Sequence, residues 1–343
     1  MALAEFTKEN NPYVKEMKGG FKFFNLHTLL KKADEEGFGV MACNIRSRFI
    51  LNAALEAAWK EKSPIILEIA ESESGYCNMP PARLAELAYA AVDKMIEKYN
   101  YAVPVCLHHD HIQKDVDGCV QRALEAGFSS MEVDLSKLPL EENIAKCKLI
   151  SEKIRPMGIS LEVEDGEIGN AAALADPNVE ENISQYYSKV EDCKRLVSEV
   201  GADAIAFFVG NGHGNYLKRP MIGYDRIKEI CDAVRPLEVY GVMHGGSGLE
   251  PAEFNKCVEN GARKFNYATS VSDIWFKYFP ASLLEEMDKT GEEKGKPRRK
   301  VLNLFEDQWD KLDFTEAEKA MTEHIAMMMQ KAFLSSGKAL SYV

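Results

Sequence analysis

Three histidines and an aspartate fall within four residues at His108-His109-Asp110-His111, at the end of the apolar run Val103-Pro104-Val105-Cys106-Leu107. The chain has only seven histidines, so this is a local concentration of groups that bind metal ions and move protons. Two more histidines close similar runs. His213 ends Phe207-Phe208-Val209-Gly210-Asn211-Gly212, and His244 ends Val239-Tyr240-Gly241-Val242-Met243. A lone histidine is more often structural than a ligand. Three strand-end sites that each offer an imidazole point instead to one metal held between strands, and three imidazoles with an open fourth position describe a catalytic zinc site. Asp110 reads either as a carboxylate that orients an imidazole or as a proton carrier at a substrate oxygen near the metal. Gly245-Gly246-Ser247-Gly248, after His244, exposes backbone N–H groups that can cradle a phosphate, with Thr269-Ser270 as a second contributor.

These residues need a frame that brings distant strand ends together. Short apolar strands are expected at Gly39–Cys43, Pro64–Ala70, Pro104–Leu107, Ser129–Asp134, Ile159–Glu164, Asp203–Val209, Leu237–Met243 and Arg263–Ala268. Helical patterns precede and separate them, over about 26–36, 47–61, 80–98, 114–126, 141–156, 182–200, 224–234 and 251–260, with another from about 270. Eight βα units are the pattern of an α/β fold, a (β/α)8 TIM barrel, whose active site forms at the carboxyl ends of the strands. His111, Glu164, His213, His244 and Asn266 all fall at those ends. Residues 1–290 are read as the barrel, opened by an N-terminal extension over residues 1–25. Residues 291–343 are read as a C-terminal helical extension packing on the barrel or on a partner subunit. Its start, Gly291 to Lys300, reads as a solvated, charged hinge.

The net charge of −12 argues against nucleic acid or an anionic membrane surface as partner. Eight cysteines without a CxxC pair read as buried reduced thiols, and no apolar run reaches the roughly 18 residues of a membrane span. The chain is therefore expected to be cytoplasmic.

The motifs resemble the class II, metal-dependent ketose-bisphosphate aldolases, the fructose- and tagatose-bisphosphate aldolase family, from about Phe24 to about residue 285. Leu107-His108-His109-Asp110-His111 is similar to the family's L-H-x-D-H. Asp134-Leu135-Ser136-Lys137-Leu138-Pro139-Leu140-Glu141-Glu142-Asn143-Ile144 is similar to D-x-S-x-L-P-x-E-E-N-I, and Glu162-Val163-Glu164-Asp165-Gly166 to E-x-E-x-G. Gly212-His213-Gly214, His244-Gly245-Gly246-Ser247-Gly248 and Asn266-Tyr267-Ala268-Thr269 complete the order. The resemblance implies that His111, His213 and His244 hold zinc and that Glu164 supports it or binds a second cation. Asp110 is then the acid/base at the hydroxyl where the carbon–carbon bond breaks. Gly214, Gly245, Ser247 and Thr269 contact phosphate, and Asn266 and Asn44 contact substrate. The implied reaction is reversible cleavage of a ketose 1-phosphate or 1,6-bisphosphate to dihydroxyacetone phosphate and an aldehyde through a zinc-stabilised enediolate, in a homodimer or homotetramer.

The departures lie at the far end of the substrate. The family follows E-x-E-x-G with a glycine pair and an acidic cluster, one member of which protonates the enediolate. Here the chain reads Glu167-Ile168-Gly169-Asn170-Ala171-Ala172-Ala173-Leu174, leaving Glu167, Asp176, Glu180 and Glu181 as replacements. Asp165 and Ile112 stand where the family has an aliphatic and a small residue. Ser272 takes the place of a basic or amide residue, and Leu217 that of a lysine. The substrate therefore need not be fructose 1,6-bisphosphate. Two other readings remain. One is a metal-binding pseudoenzyme or regulatory subunit of the same fold. The other is an amidohydrolase-type zinc hydrolase, whose ligand pair His109-x-His111 imitates on the wrong strand. A Schiff-base aldolase needs a lysine in the barrel, and Lys264 falls at the start of strand eight.

Overall fold

The computed structural model describes residues 13–177 and 182–342. Eight parallel strands close into a barrel in sequence order, β1 to β8, with β1 paired to β8. They are β1 Val40–Asn44, β2 Ile65–Ala70, β3 Val105–Ile112, β4 Ser130–Val133, β5 Ser160–Asp165, β6 Ala204–Phe207, β7 Tyr240–Met243 and β8 Ala262–Tyr267. The helices are α1 Leu26–Glu36, α2 Arg48–Glu61, α3 Glu71–Tyr76, α4 Pro81–Tyr99, α5 Val116–Ala126, α6 Leu140–Ile154, α7 Val190–Val200, α8 Tyr224–Val234, α9 Pro251–Glu259, α10 Thr269–Phe276, α11 Ala281–Glu293, α12 Glu306–Trp309 and α13 Thr315–Lys331.

Local signals set several boundaries. Asn25 Oδ1 accepts the Thr28 N–H at 2.8 Å and starts α1, and Gly37 ends it in the left-handed conformation. Several elements differ from expectation: α3 is unforeseen in the sequence, β6 ends at Phe207 rather than Val209, and β7 begins at Tyr240 because Arg235–Leu237 forms a 3-10 turn. The helix expected over 182–200 begins only at Val190, after a 3-10 turn at Ile183–Tyr186. Strand β3 runs on to Ile112, because the polar His108–Asp110 stretch still pairs with β2 on one side. On the other side its register with β4 slips between His109 and Ile112, and His111 takes a φ of 45°. This bulge breaks the alternation, so that Asp110 and His111 both reach the mouth, at the expense of a left-handed non-glycine residue.

The barrel interior is charged rather than apolar. Glu68, His108, Glu132, Glu162 and Lys264 are completely buried at inward positions. Lys264 Nζ lies 3.0 Å from Glu162, 3.4 Å from Glu68 and 3.7 Å from Asp110. One buried cation thus offsets several buried carboxylates, and deleting either partner would leave an uncompensated charge.

The C-terminal part is bound to the barrel. Helix α13 packs along α2, Gly39 N donates to Phe333 O at 2.8 Å, and Gly337 N donates to Glu61 O at 2.7 Å. Phe49, Trp275, Trp309 and Phe314 form one aromatic cluster at this seam. The charged stretch is not a free hinge. Arg298–Phe305 forms a 3-10 segment packed on α3 and α11, and it carries Arg299 and Lys300 to the barrel mouth. No helix among the described residues is long and apolar enough to cross a membrane.

Candidate active site

A cavity of about 350 Å³ opens at the carboxyl ends of the strands. Asn44, Asp110, His111, Glu164, His213, Gly214, Gly245, Ser247, Asn266 and Thr269 all line it. His244 is fully buried and reaches the same point from beneath. The sequence-derived residues are therefore brought together around one centre.

The imidazoles face one another. His111, His213 and His244 each offer a ring nitrogen within 4.8 Å of the others. His111 Nδ1 lies 3.1 Å from Asp134 Oδ2, and His244 Nε2 lies 3.0 Å from Glu162 Oε1. A carboxylate only accepts, so these nitrogens carry the hydrogens and leave lone pairs on His111 Nε2 and His244 Nδ1. Those two atoms are 2.8 Å apart. Two lone pairs at that distance repel unless a cation or a shared proton lies between them. The donor set therefore fits a divalent metal ion, and three imidazoles suit zinc.

The charges agree with that need. Burial alone would lower the His111 pKa, but Glu132, Asp110, Asp134 and Glu164 outweigh it and hold the ring well above its usual value. Burial and the neighbouring His111 hold His213 at about 3, and they push His244 well below its usual range. The pocket thus draws one positive charge to the point where the imidazoles meet. Glu164 is raised to about 8 by burial and by Asp134. Its Oε1 accepts from Ser136 at 3.1 Å, while Oε2 has no hydrogen-bond partner.

Asp110 is buried, yet its carboxyl stays well below the usual range, because His111 and Lys264 outweigh the desolvation that would raise it. Asn266 Nδ2 donates to its Oδ1 at 3.0 Å, which fixes the carboxylate. Lys264, although it begins low on β8, reaches up under Asp110. It stays protonated because Glu162, Glu68 and Asp110 outweigh its burial, so it is no Schiff-base nucleophile. His109 lies against Phe128 on the other side of the strand, with ring centroids 5.9 Å apart. A His109/His111 ligand pair is thereby excluded.

The anion cradle has its own geometry. The backbone N–H groups of Ala268, Thr269 and Ser270 converge on Ser247 Oγ at 3.3, 2.9 and 3.4 Å, at the N-terminus of α10. Tyr216 Oη accepts from Gly212 N at 2.9 Å and donates to Gly245 O at 2.8 Å, which ties together the loops after β6 and β7. One turn into α10, Ser272 Oγ accepts from Arg46 at 3.0 Å, and Arg46 is ion-paired with Glu73 at 2.5 Å. A guanidinium from the end of β1 thus reaches the position where the sequence has a serine. Asn44 Nδ2 donates to Glu73 at 2.9 Å, while its Oδ1 has no partner.

Sequence reasoning missed Glu132, Glu162 and Glu68, although charged residues at inward positions of short apolar strands carry a signal. It gave Asp134 no role of its own. Tyr216, Arg299 and Lys300 had no signal, because they come from loops whose paths the periodicity does not reveal. Glu180 and Glu181 lie outside the described residues.

Fold and site together define a closed parallel barrel with a candidate cation centre at the carboxyl ends of its strands. The chain belongs to the class-II fructose-bisphosphate aldolase family, which matches residues 24–338. It is 31% identical over 250 residues to the fructose-bisphosphate aldolase of Staphylococcus aureus (strain Mu50), covering 71% of this chain and 80% of that one. It is 31% identical over 253 residues to the 6-phospho-5-dehydro-2-deoxy-D-gluconate aldolase of Bacillus subtilis, covering 74% and 82%. Its fold is shared with the YdjI aldolase of Escherichia coli K12, at a TM-score of 0.67 and 23% identity over 92% of this chain and 98% of that one. The protein is a class II aldolase, a carbon–carbon lyase.

Proposed function

We propose that the enzyme reversibly cleaves a ketose 1-phosphate or 1,6-bisphosphate to dihydroxyacetone phosphate and an aldehyde, with zinc at His111, His213 and His244. The observation that carries this reading is the meeting of three groups in one cavity: the facing imidazole lone pairs, the ionised Asp110, and the convergent N–H groups of residues 268–270. Zinc bound there would supply a Lewis acid for the carbonyl and hydroxyl oxygens of the substrate. Glu164, with Glu132 and Asp134, would support it or take a second cation.

In cleavage Asp110 accepts the proton of the hydroxyl next to the breaking bond. The bond's electron pair passes to the dihydroxyacetone phosphate half as an enediolate, and the hydroxyl carbon leaves as the aldehyde. In condensation Asp110 returns the proton. The phosphate is held by the residue 268–270 amides with Gly214, Gly245, Ser247 and Thr269, and Asn266 and Asn44 orient the sugar. Arg299, Lys300 and Lys137 also line the cavity, with the Arg299 guanidinium beside Gly214, which adds positive charge for the anionic groups of the substrate. The free, buried cysteines are in line with a cytoplasmic enzyme, and a homodimer or homotetramer is the expected assembly.

The test is a panel of ketose phosphates incubated with metal-analysed protein, with release of dihydroxyacetone phosphate as the readout. Release that stops with chelator and returns with zinc supports the reading. Zinc-loaded protein that cleaves no member of the panel refutes it in favour of a metal-binding pseudoenzyme.

A further inference from the structure

Two carboxamides line the cavity from neighbouring strands. Asn266 on β8 pairs with Ala42 on β1, and Asn44 stands two residues beyond Ala42, on the same face of the strand. Both side chains are buried, and the Oδ1 of each has no partner. Their Nδ2 groups are taken, that of Asn266 by Asp110 and that of Asn44 by Glu73 Oε2 at 2.9 Å. A carboxylate only accepts. Glu73 therefore decides how the Asn44 amide is turned: the NH2 faces Glu73, and the oxygen is left as an acceptor in want of a donor.

Glu73 itself is saturated by the protein. Its Oε1 accepts from Arg46 Nε at 2.8 Å, from Arg46 Nη2 at 2.5 Å and from Tyr76 Oη at 3.2 Å. Its Oε2 accepts from Asn44 and, at 3.4 Å, from the Ala70 N–H. The last bond follows from local sequence, because Glu73 is the third residue of α3, from which a glutamate reaches back to the backbone that starts the helix. Arg46 continues the network through Ser272, whose Oγ donates to Ala268 O at 3.3 Å. The Asn44 wall is thus tied to the N-terminus of α10, where the phosphate amides converge. The mechanism above uses neither Glu73 nor Arg46.

We propose that Glu73, held by Arg46, is a positioning residue that fixes Asn44 as a hydrogen-bond acceptor, and that Asn44 thereby selects an aldehyde half with a hydroxyl on the carbon next to its carbonyl. The proposal rests on the aldolase reading above. In that reading the oxygens of the dihydroxyacetone phosphate half go to the imidazole centre and the phosphate cradle, and Asp110 takes the hydroxyl next to the breaking bond. The next hydroxyl along belongs to the adjoining carbon of the aldehyde half. A buried acceptor without a donor is unfavourable, so a substrate O–H completes the site, whereas a group that can only accept leaves Asn44 Oδ1 unpaired.

The test uses the full-length, metal-replete enzyme and condenses dihydroxyacetone phosphate with glycolaldehyde or with fluoroacetaldehyde, whose fluorine is close to the hydroxyl in size but cannot donate. The readout is the ratio of the two kcat/KM values, so the intrinsic reactivity of the aldehydes cancels between variants. In Glu73→Gln the new carbonyl stays with Arg46 and the new NH2 turns the Asn44 amide over, and the ratio falls about 10-fold from its wild-type value. Asn44→Ala removes the acceptor and gives the same fall. The double variant falls no further than either single one, because Glu73 acts through Asn44. If Glu73→Gln fails to fold, Arg46→Met/Glu73→Met, which leaves no buried charge unpaired, frees the Asn44 amide and lowers the ratio alike. A wild-type ratio in either single variant overturns the proposal, and so does a double variant that falls by the product of the two. An enzyme that cleaves ketose phosphates yet shows no preference for glycolaldehyde also overturns it. A wild-type protein that condenses neither aldehyde and cleaves no ketose phosphate overturns the aldolase reading, and this inference with it.

Discussion

Replacing Gly245 with alanine tests the joint on which two of the three imidazoles hang. Gly245 follows His244, and Gly212 precedes His213. Gly245 has a φ of 69°, and a Cβ built there lies 2.5 Å from the carbonyl carbon of Gly212 and 2.9 Å from its nitrogen. The left-handed backbone alone costs an L-residue roughly 1–2 kcal/mol. Relief of the overlap requires the two loops to part by about 1 Å, since carbon atoms pack at roughly 3.5–4.0 Å. A shift of that size at a catalytic constellation is worth about 100-fold in rate. Gly37→Ala is the matched control. Its φ is 68°, and nothing lies within 4 Å of its added Cβ. Thermal unfolding, zinc affinity by chelator competition and turnover are measured on both variants. Gly37→Ala should lose only the backbone contribution to stability and keep zinc affinity and turnover. Gly245→Ala should lose more stability, at least about 10-fold in zinc affinity and about 100-fold in turnover. If Gly245→Ala binds zinc and turns over like wild type, the close approach of the two loops does not hold the metal site.

Three further outcomes are expected. Asp110→Ala should lower turnover by about 100-fold or more while metal analysis shows zinc unchanged; surviving activity removes Asp110 from the proton path. Glu162→Gln should weaken zinc binding by roughly 10–100-fold in chelator competition, because the carboxylate that orients His244 is lost. His108 is held at about 3 by burial and by Lys264, whereas an unfolded histidine titrates near 6.5. Between those values the unfolded chain binds a proton that the folded chain does not. Stability from this group is therefore fully present above about pH 6.5 and falls by about 1.4 kcal/mol per unit as pH drops toward 3. Urea unfolding of His108→Gln from pH 7 to 4 should show that slope reduced by one proton; an unchanged slope refutes the assignment.

The barrel was readable because eight short apolar runs alternate with helical periodicity, and because Asn25 and Gly37 mark α1 by side-chain chemistry and backbone freedom. The convergence of His111, His213 and His244 followed from their common placement at strand ends. The bulge at His111 was not readable, since periodicity places strands without revealing where a register slips. Nor was the path of residues 298–305, because a run such as Arg298-Arg299-Lys300 looks the same whether it is solvated or laid over a cavity. The partners that set the tautomers of His111 and His244 were on view as Asp134 and Glu162, but only the closed barrel brings each to its ring.

The segment Arg298–Phe305 hangs from α3 and α11 rather than from the strands. Arg83, paired with Glu306 at 2.6 Å, secures the chain just beyond it. Val301, Leu302 and Phe305 of this segment are held in the core, which leaves Arg299 and Lys300 as the positions free to diverge without disturbing the strand ends where the imidazoles meet. Preference for one sugar over another can be rewritten in this tether while the bond-breaking apparatus passes unchanged from one descendant enzyme to the next.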